Sequence, residues 1–138
     1  MDQKDGKIIA LLRQDARIPI REIARKTGFR PSTVHQRIQR LVADTVIEKF
    51  TVKLRNASVD EGFIAFLLIA TKKDLPASFF SVPQVKEMFG ITGEYDLAVK
   101  LKFKGVEEFN HYLINLRKYP AIQKTLSMIV TTTLKEEV

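Results

Sequence analysis

Two short amphipathic segments joined by a glycine turn limit the possible folds of this chain more than any other feature. The first segment begins near Pro19, and Gly28 is placed to end it, because proline suits the start of a helix and glycine suits its C-terminal cap. Only two residues separate Gly28 from Pro31, which opens a second segment that extends to about Ala43. Two short helices joined by so tight a turn are typical of the helix-turn-helix motif. The residues predicted to face inward are Ile20, Ile23 and Ala24, followed by Val34, Ile38, Leu41 and Val42.

Two further elements complete this N-terminal module. A helix is predicted over Asp5–Gln14, where four apolar residues recur at helical spacing. After the two segments, Val46–Lys53 is rich in β-forming residues that alternate loosely with polar ones, which predicts a wing strand. The module is therefore predicted to be a winged helix-turn-helix.

The net charge of the chain is concentrated in this module. The sequence has 138 residues and a formal net charge of +7, and residues 1–55 carry all of it, since the basic and acidic residues of 56–138 cancel. Most aromatic residues lie after residue 56 instead. The division predicts a basic module followed by a neutral, better-packed one. A basic module suggests a polyanionic partner, most often nucleic acid, although charge alone fits a solubilising role equally well.

The helix predicted over Pro31–Ala43 carries the polar face that reading DNA requires. Gln can bond adenine and Arg can bond guanine through two atoms, and Ser or Thr can bond a base or a phosphate. The residues opposite the apolar stripe are Ser32, Thr33, Gln36, Gln39 and Arg40, with His35 and Arg37 on its flanks. The residues expected to hold phosphates around them are Arg21, Arg25, Lys26, Arg30, Lys49 and Lys53. A solvated helix face can have the same composition, but together with the glycine turn and the localised charge it predicts binding of double-stranded DNA.

Several other classes of protein are not supported by the sequence. The chain has no cysteine, and His35 and His111 have no partner at metal-ligand spacing, so we expect no metal and no cofactor. It has no glycine-rich phosphate loop and no nucleophile elbow, so we expect no enzyme activity. The longest apolar run, Phe63–Ala70, is too short to cross a bilayer, and Met1–Arg13 lacks a secretory pattern. A cytoplasmic protein without a membrane partner is expected.

The rest of the chain is predicted to form four strands and two helices. Phe63–Thr71 is continuously apolar, as expected of a strand buried on both faces, and Leu97–Lys104 alternates as in a half-exposed strand. The remaining elements are a short or irregular helix over Ala77–Glu87, a strand over Val85–Thr92, a turn over Gly93–Asp96, a helix over Gly105–Lys118 with Val106, Phe109, Leu113 and Leu116 inward, and a strand over Ile122–Leu134. This β-α-β-β-α-β order predicts a ferredoxin-like domain.

The chain is thus predicted to be an α+β protein with two domains. A winged helix-turn-helix domain covers residues 1–54, a polar linker covers 55–61, and a ferredoxin-like domain covers 62–138. A single sheet with helices on one face leaves its other face bare, and Phe63–Ala70 is apolar on both faces. We therefore expect that face to be buried in a homodimer with twofold symmetry. Such a dimer would also place two recognition helices about one DNA turn apart, ~34 Å.

Three stretches of the chain carry a resemblance to a known family. The first includes Asp15–Ile18, Glu22–Ala24, Gly28, Pro31–Leu41 and Val46-Ile47. The second is Thr92–Leu97, with a G-x-Y-D turn, and the third is Thr131–Lys135 at the end of the chain. In this order and spacing they resemble the Lrp/AsnC (leucine-responsive/asparagine-regulator, or feast/famine) transcription regulators over essentially the whole chain.

The resemblance implies an effector-binding and oligomerising C-terminal domain, in dimers that often assemble further to octamers. Effectors of the family are mostly amino acids, bound between dimers near the G-x-Y-D turn. Carried over to this chain, the effector-binding residues are Gly93, Glu94, Tyr95 and Asp96, with Thr131, Thr132 and Thr133. Two alternatives stay open: Gly93 only forms the turn while Asp96 caps it, and the protein is an architectural DNA-binding protein without an effector.

Three residues depart from the family pattern. Arg30 stands where a serine commonly precedes the helix, so the helix loses a good N-cap and gains a charge for phosphate. Thr45 stands where glycine commonly precedes Val46-Ile47, which predicts a strained or reshaped backbone there. Pro19 takes the place of a small polar cap. The first two departures bear on which DNA sequence the protein prefers.

Overall fold

The computed structural model describes all 138 residues. The chain forms two compact units, Met1–Lys53 and Leu54–Glu137. The helices are α1 (Gln3–Gln14), α2 (Ile20–Thr27), α3 (Pro31–Ala43) and α4 (Val106–Leu116), and the strands are β1 (Phe63–Thr71), β2 (Val85–Gly90), β3 (Leu97–Phe103) and β4 (Ile122–Ile129). Two short 3-10 turns, Asn56–Val59 and Ala77–Phe79, complete the secondary structure.

The helix-turn-helix forms as predicted. Gly28 ends α2 with a positive φ of 77°, a conformation that glycine adopts without steric cost, and α3 begins at Pro31. Helix α1 begins two residues earlier than predicted, because Asp2 and Asp5 form a reciprocal capping box at its start. Ile8, Ile23 and Val34, one from each helix, are fully buried at the centre of the unit, with Ala24 and Leu41 also buried. Val42 is exposed rather than inward.

The predicted wing strand is wrong. Val46–Lys53 forms no strand, because the N-terminal unit contains no second extended segment with which it could pair. Instead, the N–H groups of Val46 and Ile47 both donate to the Leu41 carbonyl and close the end of α3. Thr45 has a positive φ of 56°, which confirms the strained backbone predicted for this position.

The C-terminal unit is a four-stranded antiparallel sheet of order β2-β3-β1-β4 with α4 packed on one face. The strand β1 has the predicted bounds, and β3 ends one residue earlier than predicted. The core face of the sheet presents Leu67, Leu101 and Phe103, all buried against Phe109 and Leu116 of the helix. The predicted α+β fold is therefore confirmed, with differences in single elements.

Three of those elements differ for local reasons. The helix predicted over Ala77–Glu87 is a single 3-10 turn, because Pro83 lies within the segment and cannot supply the N–H that a longer helix requires. Val106 is exposed at the first position of α4, where no other element covers it. The last strand ends at Ile129, so Thr131–Thr133 lie beyond it.

The second face of the sheet is partly open. Within one chain Ile64 and Ala70 of β1 are buried on this face and Phe66 is 41% exposed, so the predicted burial of β1 on both faces requires the partner subunit that was expected there. The register places Phe66 beside Met128 of β4, and Met128 is 44% exposed. Leu126 and Phe89 are exposed on the same face. We call these four residues, Phe66, Phe89, Leu126 and Met128, the open apolar face.

Candidate DNA-binding and effector sites

The helix α3 separates an apolar side from a polar side. Val34 and Leu41 are buried, whereas Gln36 lies on the opposite side at 100° per residue and is exposed. The other exposed residues of the predicted reading face are Ser32, His35, Gln39 and Arg40, while Thr33 is half-buried. Two amide side chains, a guanidinium and a hydroxyl are therefore presented together to solvent, which is the chemistry that can bond base edges in a major groove.

The N-terminus of α3 has no side-chain cap. Arg30 occupies the capping position without a side-chain hydrogen bond to the helix, as the departure from the family pattern predicts. The first N–H groups of the helix therefore stay available, and the helix dipole favours an anion there. Arg30 is itself exposed, so the side chain and the helix end both suit a phosphate.

The predicted phosphate-binding residues differ in whether their charges are already paired with a carboxylate. Arg21, Lys26, Lys49 and Lys53 are exposed and make no salt bridge. Arg25 is paired with Glu22 one turn earlier in α2; this hydrogen bond raises the pKa of Arg25 and lowers the pKa of Glu22. The four unpaired cations are the better candidates for phosphate, because Arg25 would first have to leave its carboxylate.

Arg37 is held by two acidic residues from the start of α1. Its Nη1 donates to both carboxylate oxygens of Asp2 at 2.8 Å and to Oδ1 of Asp5 at 3.1 Å. The hydrogen bond from Arg37 is the main reason that the pKa of Asp2 is lowered to about 2, and the same contacts raise the pKa of Arg37. The structure thus places this predicted DNA-binding side chain in an intramolecular ion cluster.

The G-x-Y-D turn joins the end of β2 to the start of β3 and is hydrogen-bonded to the end of β1. Gly93 has a positive φ of 113°, so the turn needs glycine at this position. The Asp96 carboxylate accepts hydrogen bonds from the backbone N–H of Thr71 at 2.6 Å and from its hydroxyl at 2.8 Å, which lowers the pKa of Asp96. The backbone N–H of Asp96 donates to the Ile69 carbonyl at 2.8 Å. Asp96 therefore has a capping role in the single chain.

Lys124 is a residue at this turn that the sequence did not identify. Its ammonium group pairs with Glu94, and its Nζ lies 5.1 Å from the centre of the Tyr95 ring. The ion pair raises the pKa of Lys124. Lys124 lies on β4, directly opposite Ala70 of β1, and only this strand pairing brings it to the turn. No spacing in the sequence signals the contact.

The two groups of predicted effector-binding residues lie apart within one chain. Asp96 bonds Thr71 at the end of β1, whereas the N–H of Val130, just before Thr131–Thr133, donates to the Ile64 carbonyl near its start. Thr71 lies seven positions after Ile64 along β1, or about 23 Å at 3.3 Å per residue. The three threonines are exposed. Within a single chain they lie at the opposite end of β1 from the turn.

A polar network on the second face of the sheet involves the C-terminal tail. The Glu136 carboxylate accepts hydrogen bonds from Lys100 at 2.5 Å, Lys102 at 3.0 Å and Asn56 at 3.0 Å. Lys102 also donates to the Asn56 side-chain oxygen at 2.7 Å. The Glu136 side chain is only 12% exposed, and these donors lower its pKa to about 2. The network joins the predicted linker and the tail to the sheet.

The C-terminal unit also contains a small apolar cleft of about 190 Å³ between the Ala77–Phe79 turn and α4. Phe79, Tyr112, Leu116 and Tyr119 contribute to its lining. The hydroxyl of Tyr112 is buried without a hydrogen-bond partner, and its burial raises the pKa of Tyr112 to about 12. None of the predicted site residues lines this cleft.

The histidines do not take part in any of these clusters. His35 and His111 are both exposed, and no group of three or more His, Asp and Glu side chains is arranged to hold a metal ion. No helix is both long and apolar enough to cross a membrane.

Two family models match the chain, one over each unit. The model of the AsnC-type helix-turn-helix domain matches residues 1–42, and the model of the Lrp/AsnC ligand binding domain matches residues 65–138. The HTH-type transcriptional regulator FL11 of Pyrococcus horikoshii is 35% identical over 140 residues, which cover 99% of this chain and 93% of that protein. The FL11 protein of Pyrococcus furiosus is also 35% identical over the same share of each chain.

Solved structures show the same fold at lower identity. The transcriptional regulator NMB0573 of Neisseria meningitidis, solved as an L-Met complex, superposes with a TM-score of 0.92 at 24% identity, over 99% of this chain and 94% of that one. AsnC of E. coli superposes with a TM-score of 0.87 at 23% identity, over 100% and 97%.

Proposed function

Because the chain belongs to the Lrp/AsnC family of DNA-binding transcription regulators, whose members are not enzymes, we propose that it regulates transcription by reading a specific DNA sequence with α3. The exposed row of Ser32, Gln36, Gln39 and Arg40 carries this proposal. Arg30 and the unpaired cations Arg21, Lys26, Lys49 and Lys53 would hold the phosphates on either side. Because its target is DNA, we place its action in the cytoplasm.

Two substitutions on the exposed face of α3 test sequence reading. Gln36→Ala and Arg40→Ala are each expected to weaken binding to a selected DNA site about tenfold and binding to unrelated DNA much less, because each removes a contact to a base edge. Titration of selected and scrambled duplexes of equal length measures both affinities. Lys53→Gln is the matched control: it should weaken both equally and reduce the slope of log affinity against log salt by about 0.9. Equal losses on both duplexes for Gln36→Ala would assign that residue to phosphate.

We propose that the protein acts as a homodimer formed through the open apolar face. Four large apolar side chains exposed on one sheet face are unusual for a monomer and would be removed from water by a second copy in a twofold arrangement. A dimer also supplies two copies of α3 for two half-sites of an operator. Assembly of dimers into larger particles such as octamers is proposed from the family.

We further propose that a small effector, an amino acid, binds at the Gly93–Asp96 turn between subunits. The match to a ligand-binding family model and the L-Met complex of a regulator with this fold both support an amino acid. Glu94 and Lys124 carry the two charges that complement an ammonium and a carboxylate group. Thr131–Thr133 lie about 23 Å from the turn along β1. A site that uses the turn and these threonines would therefore take them from different subunits.

Light scattering in the presence of each of the twenty amino acids tests the effector directly. One or two amino acids are expected to change the assembly state, and Asp96→Ala is expected to abolish that response while the unit stays folded, because the turn loses its tie to Thr71. Asp74→Ala, on an exposed loop residue without a salt bridge, is the matched control. A full response in the Asp96→Ala protein would move the site away from the turn.

An architectural DNA-binding protein without an effector is the second candidate. The capping role of Asp96 favours it, because it explains the turn without any ligand. If no amino acid changes either the assembly state or the DNA affinity, the result favours this second function or an effector outside the twenty amino acids, and the α3 proposal is unaffected.

A further inference from the structure

We propose that Arg37 is a positioning residue, which fixes the orientation of α3 against α1 through Asp2 and Asp5, and does not contact DNA. The proposal rests on the proposed role of α3 as the reading helix. It removes Arg37 from the DNA-binding residues predicted from the sequence and adds two acidic residues that the sequence did not connect with DNA reading.

The geometry is that of a two-carboxylate clamp. One guanidinium nitrogen of Arg37 bonds Asp2 at 2.8 Å and Asp5 at 3.1 Å, across 35 and 32 residues of sequence. The Arg37 and Asp5 side chains are only 24% and 13% exposed. Asp2 is more open, at 56% exposed, so the firmer contact is the partly buried charge-assisted hydrogen bond to Asp5, and Asp2 supplies a second acceptor.

The same two carboxylates also organise the start of α1. The N–H of Asp5 donates to Asp2 at 2.9 Å, and the N–H of Asp2 donates to Asp5 at 3.2 Å. Arg37 is therefore bonded to carboxylates that are themselves held by the capping of α1. The buried Val34 and Leu41 fix the inner side of α3, and this contact adds a second point of attachment to α1 that limits small rotations of α3 about its own axis.

The local charge opposes a DNA contact at this position. Two carboxylates beside one guanidinium leave a net charge of about −1, which repels phosphate. Gln36 lies about 100° further around the helix, on the fully exposed side. The flank that carries Arg37 therefore faces α1, and the reading face is centred on Gln36.

Two variants with opposite changes of charge test the clamp. Arg37→Gln removes one positive charge, whereas Asp2→Asn with Asp5→Asn removes two negative charges and keeps asparagine, a good N-cap residue, at the start of α1. Each protein is titrated with the duplex that wild-type protein selects from a random-sequence pool and with a scrambled duplex of equal length. The ratio of the two affinities cancels the long-range effect of net charge, which acts on both duplexes alike.

We expect both variants to reduce this ratio about fivefold to tenfold, although their charges change in opposite directions. The variant that combines all three substitutions should lose no more of the ratio than either variant alone, because Arg37, Asp2 and Asp5 act through the same contact. Arg37→Lys, which keeps one donor group and the charge, should recover part of the ratio. The salt slope of Arg37→Gln should equal that of wild type, whereas Lys53→Gln should show a slope reduced by about 0.9.

Two results would overturn the proposal. If the Asp2→Asn, Asp5→Asn protein binds the selected duplex with an unchanged or higher ratio while Arg37→Gln loses salt slope, Arg37 contacts phosphate. If both variants melt at lower temperature but the folded proteins keep the wild-type ratio, the cluster only stabilises the unit. If the wild-type protein selects no sequence from the pool, the proposed function is refuted. That result is distinct from failure of the Arg37 proposal, because it appears before any variant is compared.

Discussion

Phe66→Lys is expected to convert the proposed dimer into monomers and to weaken binding to a two-half-site operator about 10²-fold to 10⁴-fold. Phe66 lies on β1, an interior strand of the sheet, beside Lys100 on one side and Met128 on the other, and it is 41% exposed. A second copy of the open apolar face would bury the new ammonium group without a partner, which costs more than the apolar contact contributes. The loss on DNA follows because two linked reading helices bind far more tightly than one.

Light scattering measures the mass of this variant, and DNA titration measures its affinity. Ile114→Lys is the matched control, since Ile114 is an apolar side chain of similar exposure, 56%, on α4 rather than on the open apolar face. The control should keep the mass and DNA affinity of wild type. A dimeric Phe66→Lys protein, or a loss of dimer in Ile114→Lys as well, would place the interface elsewhere.

Glu136→Gln is expected to destabilise the C-terminal unit at neutral pH and to have little effect near pH 2. The carboxylate has a pKa lowered from 4.5 to about 2 by Lys100, Asn56 and Lys102. A lowered pKa in the folded state means that the ionised group stabilises the fold above about pH 4.5, and that this stabilisation is lost as the pH falls toward 2. The expected loss at pH 7 is about 1–3 kcal/mol, after allowing for solvent screening of the partly exposed lysines.

Tyrosine fluorescence makes this measurement specific to one unit. The chain has no tryptophan, and its three tyrosines, Tyr95, Tyr112 and Tyr119, all lie in Leu54–Glu137. Urea unfolding at pH 7 and at pH 2 gives the free energy of unfolding of that unit. Glu137→Gln is the matched control, because Glu137 is the neighbouring residue and its exposed carboxylate makes no salt bridge. A pH-independent difference between Glu136→Gln and wild type would show that the charge of Glu136 is not the cause.

The local sequence was sufficient for the elements whose signals lie within a few residues. The bounds of α3 follow from Gly28, Pro31 and one apolar stripe, and β1 follows from an uninterrupted apolar run. These bounds depend on backbone dihedral preferences and on periodicity, which each short segment carries by itself. The unusual backbone at Thr45 was predicted only from the family resemblance, because glycine commonly stands at that position.

The same local signals failed where an element needs a distant partner. Val46–Lys53 has the composition of a strand, but a strand forms only when another chain segment takes up its hydrogen bonds. In Ala77–Glu87, which follows Pro76 and contains Pro83, only Ala77–Phe79 is helical, and Val85 pairs with β3 in the strand that was also predicted there. Composition therefore predicted the preferences of both segments but not their partners.

The site residues show the same division more sharply. The sequence by itself determined which residues lie on the outer face of α3, because a helix repeats its faces every 3.6 residues. Only the tertiary structure decided that Arg37 bonds Asp2, that Asp96 bonds Thr71, and that Lys124 reaches Glu94. Those partners lie 25 to 35 residues apart in the sequence. Charge attraction has no preferred sequence separation, so the packing of helices and the register of strands choose which charges meet.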